Sequence, residues 1–367
     1  MMTERDTHYN QRRAGARIDV AICTDRAAWN GFVGAAGGSL LQSWQWGEFR
    51  RRQGWRVLRL VALDGGDPCG AMQVLVRTVR PVGSFFYAAE GPVLPTAAWA
   101  TDAAPLAPLL TAARRIGRAG GALTLRLDPL TSEPHAREVL RAQGLRRGDE
   151  DVQPPITAVV DLDAAEDVLL ARLEKGARYL VRRAQRDGVV VRPGTGAQVP
   201  LFARMVAETG RRKGFGVRDE GYLHQLADMV QREDSGEFLI AEFEGAMVGG
   251  LLTGTFGARS MALYAASDDM GRKVNVQYAL HWHALLRAKR WGCRVYDLRG
   301  IGASDDPADH WGGMTFFKQR FGTRREEHAG TWDDIYRPVA YRGFRLAQRA
   351  RRTRPLRASR LLRRVPT

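Results

Sequence analysis

The chain has 367 residues, of which 44% are hydrophobic, and a formal net charge of +16 at pH 7. This length exceeds that of one typical domain and this composition excludes a disordered chain, so two domains are expected. No apolar run approaches the roughly eighteen residues of a membrane span, and segment 1–18 is polar and Arg-rich, unlike a secretory signal. A cytoplasmic protein is therefore expected. The three scattered cysteines fit no metal or redox spacing, and we expect no metal site.

In chain order, the first predicted unit is a β-hairpin followed by a third strand, a helix and a fourth strand. Two apolar runs, 60–62 and 69–76, flank an acidic glycine turn, and a third apolar run occupies 86–89. Apolar residues then recur at helical spacing over 106–116 and are followed by two glycines, which favour a helix end. The next apolar run leads to Asp128.

The same order returns about 180 residues later, which indicates an internal duplication. The second hairpin covers 239–252 and its third strand 263–266; a helix over 278–289 is followed by a strand that ends at Asp297. A meander, a helix and a further strand, occurring twice, predict an α+β fold of two tandem acetyltransferase-like (GNAT-type) lobes. We expect the lobes at 17–152 and 153–318, and a C-terminal segment with a basic amphipathic tail at 319–367.

Two segments are strongly basic. A single amphipathic helix is predicted over 164–187, with Lys175, Arg178 and Arg182 on its polar face. The tail from residue 337 onward has eleven arginines, among them Arg349 and Arg352, and no acidic residue. Such segments suit a polyanion, either nucleic acid or an anionic membrane surface, although both could also be ordinary solvated faces.

An acetyl-CoA enzyme would need a glycine-rich loop whose backbone N–H groups hold the pyrophosphate. The corresponding stretch of the first lobe, 89–95, contains Glu90 and two prolines, which cannot donate. That of the second lobe, 267–275, has one glycine and two carboxylates. Neither copy provides a CoA site, and we expect no cofactor.

Several motifs resemble those of the Fem-type peptidoglycan-bridge transferases, in the same order along the chain. They are LQSWQWGEFR at 41–50, KGARY at 175–179, GFGVR at 214–218, LYAAS at 263–267, YDLRG at 296–300 and FFKQRFG at 316–322. The resemblance covers about residues 40 to 335. It lies in the order of the motifs rather than in any single one.

The resemblance implies transfer of an amino acid from aminoacyl-tRNA to an amine of a UDP-linked or lipid-linked muropeptide precursor. It assigns precursor binding to Arg50, Arg218, Tyr222 and Tyr264, and places the pair Phe317 and Lys318 closest to the chemistry. The basic segments would then contact tRNA or the anionic inner face of the membrane. Because the helix predicted at 222–232 leads directly to a strand at 238–240, the chain resembles the family's shorter members without a long helical arm. We expect a monomer.

The residues themselves suggest how this reaction would proceed. Lys318, flanked by three phenylalanines, is suited to stabilising the oxyanion of a tetrahedral intermediate or a terminal phosphate. Asp128 is the best candidate for binding or deprotonating the attacking ammonium, although Asp297, the RNA or the substrate itself remain alternatives. Trp44 and Trp46 are expected to pack in a core.

Three other functions remain open at this stage. A tRNA-dependent ligase of antibiotic assembly would keep the chemistry and change the acceptor. A CoA-dependent N-acetyltransferase is disfavoured by the missing phosphate loop, and a non-catalytic RNA-binding protein would rest on charge alone.

Overall fold

The computed structural model describes residues 18–80, 83–214, 216–306 and 311–352, with side chains to residue 346 in the last helix. These residues form two seven-stranded sheets. The first sheet has the order β1-β2-β3-β4-β5-β14-β6 and the second the order β13-β7-β12-β11-β10-β9-β8.

The first lobe contains six strands and five helices in chain order. They are β1 (Asp19–Ile22), α1 (Arg26–Ala35), α2 (Trp44–Arg52), β2 (Arg56–Asp64), β3 (Asp67–Val79), β4 (Gly83–Ala88), α3 (Thr96–Trp99), α4 (Leu106–Ala119), β5 (Ala122–Leu127), α5 (Ala136–Ala142) and β6 (Arg146–Arg147). Strands β1 to β4 are antiparallel, and α4 crosses over so that β5 runs parallel to β4.

The second lobe repeats this arrangement and extends it. Its elements are β7 (Ile156–Asp161), α6 (Glu166–Arg172), α7 (Lys175–Arg186), β8 (Val190–Pro193), α8 (Val199–Lys213), α9 (Glu220–Arg232), β9 (Phe238–Phe243), β10 (Ala246–Phe256), β11 (Arg259–Ser267), α10 (Asp269–Lys273), α11 (Val276–Arg290), β12 (Val295–Gly300), α12 (Gly312–Gln319) and β13 (Arg324–Glu327). Helix α11 makes the crossover that brings β12 parallel to β11.

The predicted α+β fold of two tandem lobes is confirmed, because β2-β3-β4-α4-β5 is repeated as β9-β10-β11-α11-β12. Each hairpin turns where the sequence predicts it. Gly65 and Gly66 in the first turn, and Gly245 in the second, have positive φ, which glycine adopts without a steric penalty. The local turn residues and the period of apolar residues were sufficient to predict these elements.

The C-terminal segment serves both sheets. Strand β13 pairs with β7 in the second sheet, whereas β14 (Trp332–Ile335) crosses back and pairs with β5 and β6 in the first. Helix α13 (Pro338–Arg352) then lies on the first lobe, where the ring of Phe344 contacts that of Phe85 at 4.6 Å between centroids.

The prediction of one helix over 164–187 is wrong, since α6 and α7 are separate. Leu173 leaves the helical conformation with ψ of 147° and buries its side chain in the core of the second lobe. The backbone N–H of Glu174 donates to the carbonyl of Arg320, and the two side chains form an ion pair. These distant partners, which a local pattern does not reveal, account for the break.

The described chain has no long helical arm, because α9 ends at Arg232 and β9 begins at Phe238. Among the described residues, no helix combines the length and the apolar character needed to cross a membrane.

Three apolar cores hold the structure together: one in each lobe and one between them. The core between the lobes joins Trp29 and Phe49 of the first lobe to Phe202 and Phe238 of the second. Burial of large aromatic side chains on both sides stabilises a fixed contact between the lobes.

Candidate functional site

A cavity of about 290 Å³ lies between the lobes, and we call it the inter-lobe cavity. It is lined by side chains from both lobes. Those that bear on its chemistry are Trp46, Arg50, Trp55, Tyr87, Gln153, Arg218, Tyr222, Tyr264 and Arg299. Four of them were predicted to bind substrate, and the structure brings all four into this one cavity.

Arg50 is the most unusual cation of the inter-lobe cavity. It lies in the last turn of α2, only 7% exposed, with its guanidinium 4.9 Å from the ring centre of Trp55. Its Nε has no hydrogen-bond partner among the described residues, and neither has the buried Nε1 of Trp46. Burial lowers the pKa of Arg50, and Arg218 adds to this effect. Two buried donors without acceptors are costly unless a ligand supplies the acceptors, and an anion does so best.

The other predicted residues face Arg50 from the second lobe. Arg218 follows α8, and its guanidinium lies 5.2 Å from the ring centre of Tyr222, which Asp219 positions by capping α9. The rings of Tyr222 and Tyr264 are 6.4 Å apart, and burial raises the pKa of Tyr264. The phenol of Tyr264 is therefore a neutral hydrogen-bonding group at physiological pH.

A second cavity, of about 550 Å³, lies within the second lobe, and we call it the second-lobe cavity. It opens where β11 and β12 separate, because these strands pair only from Arg259 to Met261 and from Val295 to Asp297. Its lining is mainly apolar, with Tyr264, Tyr278, His281, Phe317 and Lys318 among its members.

Lys318 lies in the wall of the second-lobe cavity, 9% exposed, and its Nζ donates to the carbonyl of Gly300 at 2.7 Å. Burial lowers the pKa of Lys318 to about 7, with Arg299 lowering it further and Asp297 opposing. Phe317 packs beside it against Tyr278, with 5.0 Å between ring centres. Lys318 thus has the apolar surroundings that the sequence predicted, although Phe316 is 59% exposed and does not provide them.

The two cavities meet at Leu263, Tyr264 and Arg299, which line both. Arg299 has a left-handed backbone with φ of 69°, forms an ion pair with Glu90 of the first lobe and donates to Gln153 at 2.6 Å. Arg299 lies within the YDLRG motif at 296–300, and no role was predicted for it. Its importance depends on a partner 209 residues away, which no local signal reveals.

Asp128 lies behind the inter-lobe cavity rather than in its wall. Its carboxylate accepts hydrogen bonds from the Tyr87 hydroxyl at 3.0 Å and from the backbone N–H of Glu90 at 2.7 Å. Desolvation raises its pKa to about 8, although the hydrogen bond from Glu90 opposes the rise. Tyr87, which sequence analysis missed, stands between Asp128 and the inter-lobe cavity.

The basic residues singled out in α7 differ in their surroundings. Lys175 and Arg182 are exposed, whereas Arg178 donates to the carbonyls of Ala171 and Leu173 and so caps the end of α6. None of the three lines either cavity. Arg349 and Arg352 belong to α13, but their side chains lie outside the described residues.

The loop between β11 and α11, where an acetyl-CoA enzyme would hold phosphate, presents acidic groups. The carboxylate of Asp268 accepts from the backbone N–H of Gly271 at 2.7 Å and so uses the amide that a phosphate would need. This observation supports the sequence argument against coenzyme A. In the part of the chain that the structure describes, no cluster of three or more His, Cys, Asp or Glu could hold a metal ion.

Comparisons with known proteins agree with this architecture. The family model described as the FemAB family matches residues 140–247 and 241–349. A lipid II:glycine glycyltransferase of Staphylococcus aureus is 22% identical over 381 residues, covering 83% of this chain and 90% of its own.

Solved structures show the same fold. A crystal structure of FemX aligns with a TM-score of 0.80 at 21% identity and covers 88% of this chain and 99% of its own. A tandem GNAT protein from the clavulanic acid biosynthesis pathway has a TM-score of 0.53 at 14% identity, covering 87% and 99% of the two chains. The likeness to both supports two tandem GNAT-type lobes.

Proposed function

The chain belongs to the FemAB family, and on that premise we propose that it is an aminoacyltransferase that moves an amino acid from aminoacyl-tRNA to an amine of a peptidoglycan precursor. One observation carries the proposal: two cavities meet at Tyr264 and Arg299, with a buried lysine in one and a buried, incompletely bonded arginine in the other. Two substrates could thus be bound separately and react at the junction. The name of the Staphylococcus aureus relative makes glycine and lipid II the first substrates to test.

We assign the acceptor to the inter-lobe cavity. Arg50 and Arg218 supply two guanidinium groups, which suit the diphosphate that both the UDP-linked and the lipid-linked precursors carry. Tyr222 and Tyr264 add hydroxyl groups beside them. The stem peptide would then extend towards the junction with the second-lobe cavity, where its amine meets the donor.

We assign the aminoacyl end of the tRNA to the second-lobe cavity. Arg212 and Lys213, at the basic end of α8, line that cavity and supply positive charge for phosphates of the RNA. The mainly apolar wall excludes water, which protects the ester from hydrolysis. The exposed Lys175 and Arg182 of α7 lie on the same lobe and suit further phosphate contacts.

Transfer requires alignment and charge stabilisation more than activation, since an ester reacts with an amine without further energy input. The amine nitrogen attacks the ester carbonyl, the C–N bond forms, and negative charge develops on the carbonyl oxygen. Protonated Lys318 stabilises that oxyanion in a site of low dielectric. An oxyanion nearby would itself favour the protonated form of Lys318, because opposite charges at short range raise a lysine pKa.

We infer that the enzyme works at the inner face of the membrane when its acceptor is lipid-linked. Helix α13 combines arginines with the exposed apolar side chains of Val339 and Leu346, as helices that lie on anionic membranes do. Its other face is occupied, since Phe344 and Tyr341 contact the first lobe.

A transfer assay tests the proposal directly. Radiolabelled glycyl-, alanyl- and seryl-tRNA would be offered with the UDP-linked precursor and with lipid II in separate reactions. We expect label to appear on one precursor and not on water, with loss of transfer in Lys318→Met. If neither precursor accepts label but the protein still binds tRNA, a different acceptor is favoured, such as that of a tRNA-dependent ligase in antibiotic assembly. If the protein does not bind aminoacyl-tRNA, the proposed donor is refuted.

A further inference from the structure

A third, very small cavity lies behind the inter-lobe cavity, and its lining is polar. It measures about 10 Å³, close to the space that one water molecule needs. The polar residues of its lining are Glu90, Asp128, Gln153, Thr157 and His328.

Four buried polar atoms of the residues that line this small cavity have no hydrogen-bond partner among the described residues. They are Oε2 of Glu90, Oγ1 of Thr157 and both ring nitrogens of His328. These side chains are all more than nine-tenths buried, and His328 is 6% exposed. A buried water usually makes two to four hydrogen bonds to such groups, so the cavity has both the size and the partners that hold one.

The small cavity is connected to the inter-lobe cavity by hydrogen bonds. Asp128 lines the small cavity and accepts from the hydroxyl of Tyr87, whose ring lines the inter-lobe cavity. The Tyr87 oxygen also accepts from Nε2 of Gln153 at 3.0 Å. A phenol oxygen accepts two hydrogen bonds, so one position remains for a group in the inter-lobe cavity.

We propose that Tyr87, Asp128, one buried water and His328 form a path that carries a proton from the attacking amine of the acceptor away from the site of transfer. The inference rests on the proposed function and adds the destination of the proton, which the reaction must release. His328 does not touch substrate and acts through the water and Asp128.

The protons and bonds balance as follows. The acceptor ammonium gives one proton to the Tyr87 oxygen while the Tyr87 hydroxyl proton passes to Asp128, and from there through the water to a ring nitrogen of His328. The free amine then forms the C–N bond. The second proton leaves the nitrogen and joins the 3′-oxygen of the ribose as the ester C–O bond breaks, which yields an amide and a free hydroxyl.

The surroundings of His328 suit a temporary proton acceptor. Burial lowers its pKa and keeps the ring neutral at rest, while Glu326, Glu90 and Asp297 favour the charged form and Arg259 disfavours it. The Nε2 of His328 lies 3.7 Å from Glu326. Asp128, with a pKa raised to about 8, is largely protonated near neutral pH, so it relays the charge by giving its own proton to the water as it takes the proton of Tyr87.

The water site can be tested without any substrate. A crystal structure of the full chain at a resolution that shows ordered waters should contain density within hydrogen-bonding distance of His328 and Asp128. In His328→Phe the larger ring should displace that density. A dry cavity in the wild-type protein would overturn the proposal, whatever the activity of the enzyme.

The proton path is tested with His328→Gln, which can still hold the water but cannot carry a proton, and with His328→Phe. Both should lower kcat by roughly a hundredfold, leave the KM of the acceptor unchanged and increase the solvent deuterium isotope effect. External imidazole should restore part of the kcat of His328→Ala. His135→Gln, at an exposed histidine just before α5, is the control and should change neither kcat nor the isotope effect.

The outcomes separate this inference from the proposed function. A wild-type protein that transfers no label to any precursor refutes the proposed function and the path with it. An active wild type whose kcat and isotope effect are unaffected by His328→Gln refutes the path alone. A fall in kcat that parallels a fall in folded fraction, without a change in isotope effect, also refutes it, because His328 would then be merely structural.

Discussion

The two lobes contain the same strand order, yet they differ in how far their parallel pair of strands stays together, β4 with β5 in the first lobe and β11 with β12 in the second. In the first lobe, β4 and β5 stay paired from Ser84 and Ala122 to Ala88 and Leu127. In the second lobe, β11 and β12 pair over three residues each and then separate. The separated strands enclose a cavity of about 550 Å³, which contains Lys318.

The physical cause of this difference lies at the end of β12. The strand passes through Arg299, whose φ is 69°, and the carbonyl of Gly300 accepts a hydrogen bond from Lys318. The other edge of each strand is paired in both lobes, that of β5 with β14 and that of β12 with β7. The second copy therefore holds the cavity to which we assign the aminoacyl end of the tRNA, while the first contributes buried groups behind the inter-lobe cavity, including Asp128 and Glu90.

Arg299 joins the unlike lobes through its ion pair with Glu90. Replacing it by leucine leaves the buried carboxylate of Glu90 without its cation, and we expect the free energy of unfolding to fall by roughly 3–5 kcal/mol. Denaturant unfolding of the variants measures this loss. Adding Glu90→Gln should recover part of it, and Arg294→Leu, an exposed arginine just before β12, should cost less than about 0.5 kcal/mol. Equal losses for the two arginines would contradict the assignment.

The second expected effect concerns Lys318, in the cavity where β11 and β12 separate. Lys318→Met should lower kcat by about 100- to 1,000-fold, or about 2.7–4 kcal/mol, without changing the KM of the acceptor, because the lysine acts on the developing oxyanion. The rate should decline on the alkaline side, since a pKa of about 7 leaves less Lys318 protonated as pH rises, and Lys318→Arg should abolish that decline. Transfer assays at several pH values provide the measurement.

A matched lysine separates catalysis from folding. Lys289 also donates to a backbone carbonyl, that of Leu162 at 3.0 Å, but it lines neither cavity. Lys289→Met should lower the melting temperature and leave the transfer rate of the folded protein unchanged. If both lysines affected the transfer rate alike, the role of the separated strands would need another explanation.

The third effect concerns Arg50, which the first lobe contributes to the inter-lobe cavity. Arg50→Met removes a buried donor that we assign to the precursor's phosphates, and the acceptor KM should rise by about 10- to 150-fold, or about 1.4–3 kcal/mol. The kcat at saturating acceptor should change little, because Arg50 is remote from Lys318 in this assignment. Arg52→Met, an exposed arginine on the same helix, is the control. A fall in kcat with unchanged KM would place Arg50 at the chemistry instead.

The sequence predicted the fold because the signals for it are local. Hairpin turns at Gly65 and Gly245, apolar periods in α4 and α11, and the order of the strands all depend on residues close together in the chain. The same holds for the motifs that contain Arg50, Tyr264 and Lys318. A single chain therefore contains enough information to find the duplicated module and many of the cavity residues.

What the sequence did not predict depends on distant partners. The break at Leu173 needs Arg320, the role of Arg299 needs Glu90, and the burial of Asp128 needs Tyr87. His328 has no motif around it, and only the packing of both lobes encloses its ring. Each case is a tertiary contact that overrides or supplements a local preference, which no periodicity can represent.

The smallest effect is expected on the outer surface of the second lobe, where α7 offers neighbouring arginines in different situations. Arg182 is exposed and forms no ion pair with any described residue. Arg182→Ala should therefore weaken aminoacyl-tRNA binding a few-fold, and the slope of log affinity against log salt concentration should fall by the amount expected for about one phosphate contact. Arg178→Ala should instead lower the melting temperature, because Ala171 and Leu173 lose their donor, and should leave the tRNA affinity nearly unchanged. Binding titrations over a range of salt concentrations distinguish the two. Equal weakening by both variants would mean that the RNA recruits Arg178 away from α6, and the docking surface would then include the break between α6 and α7.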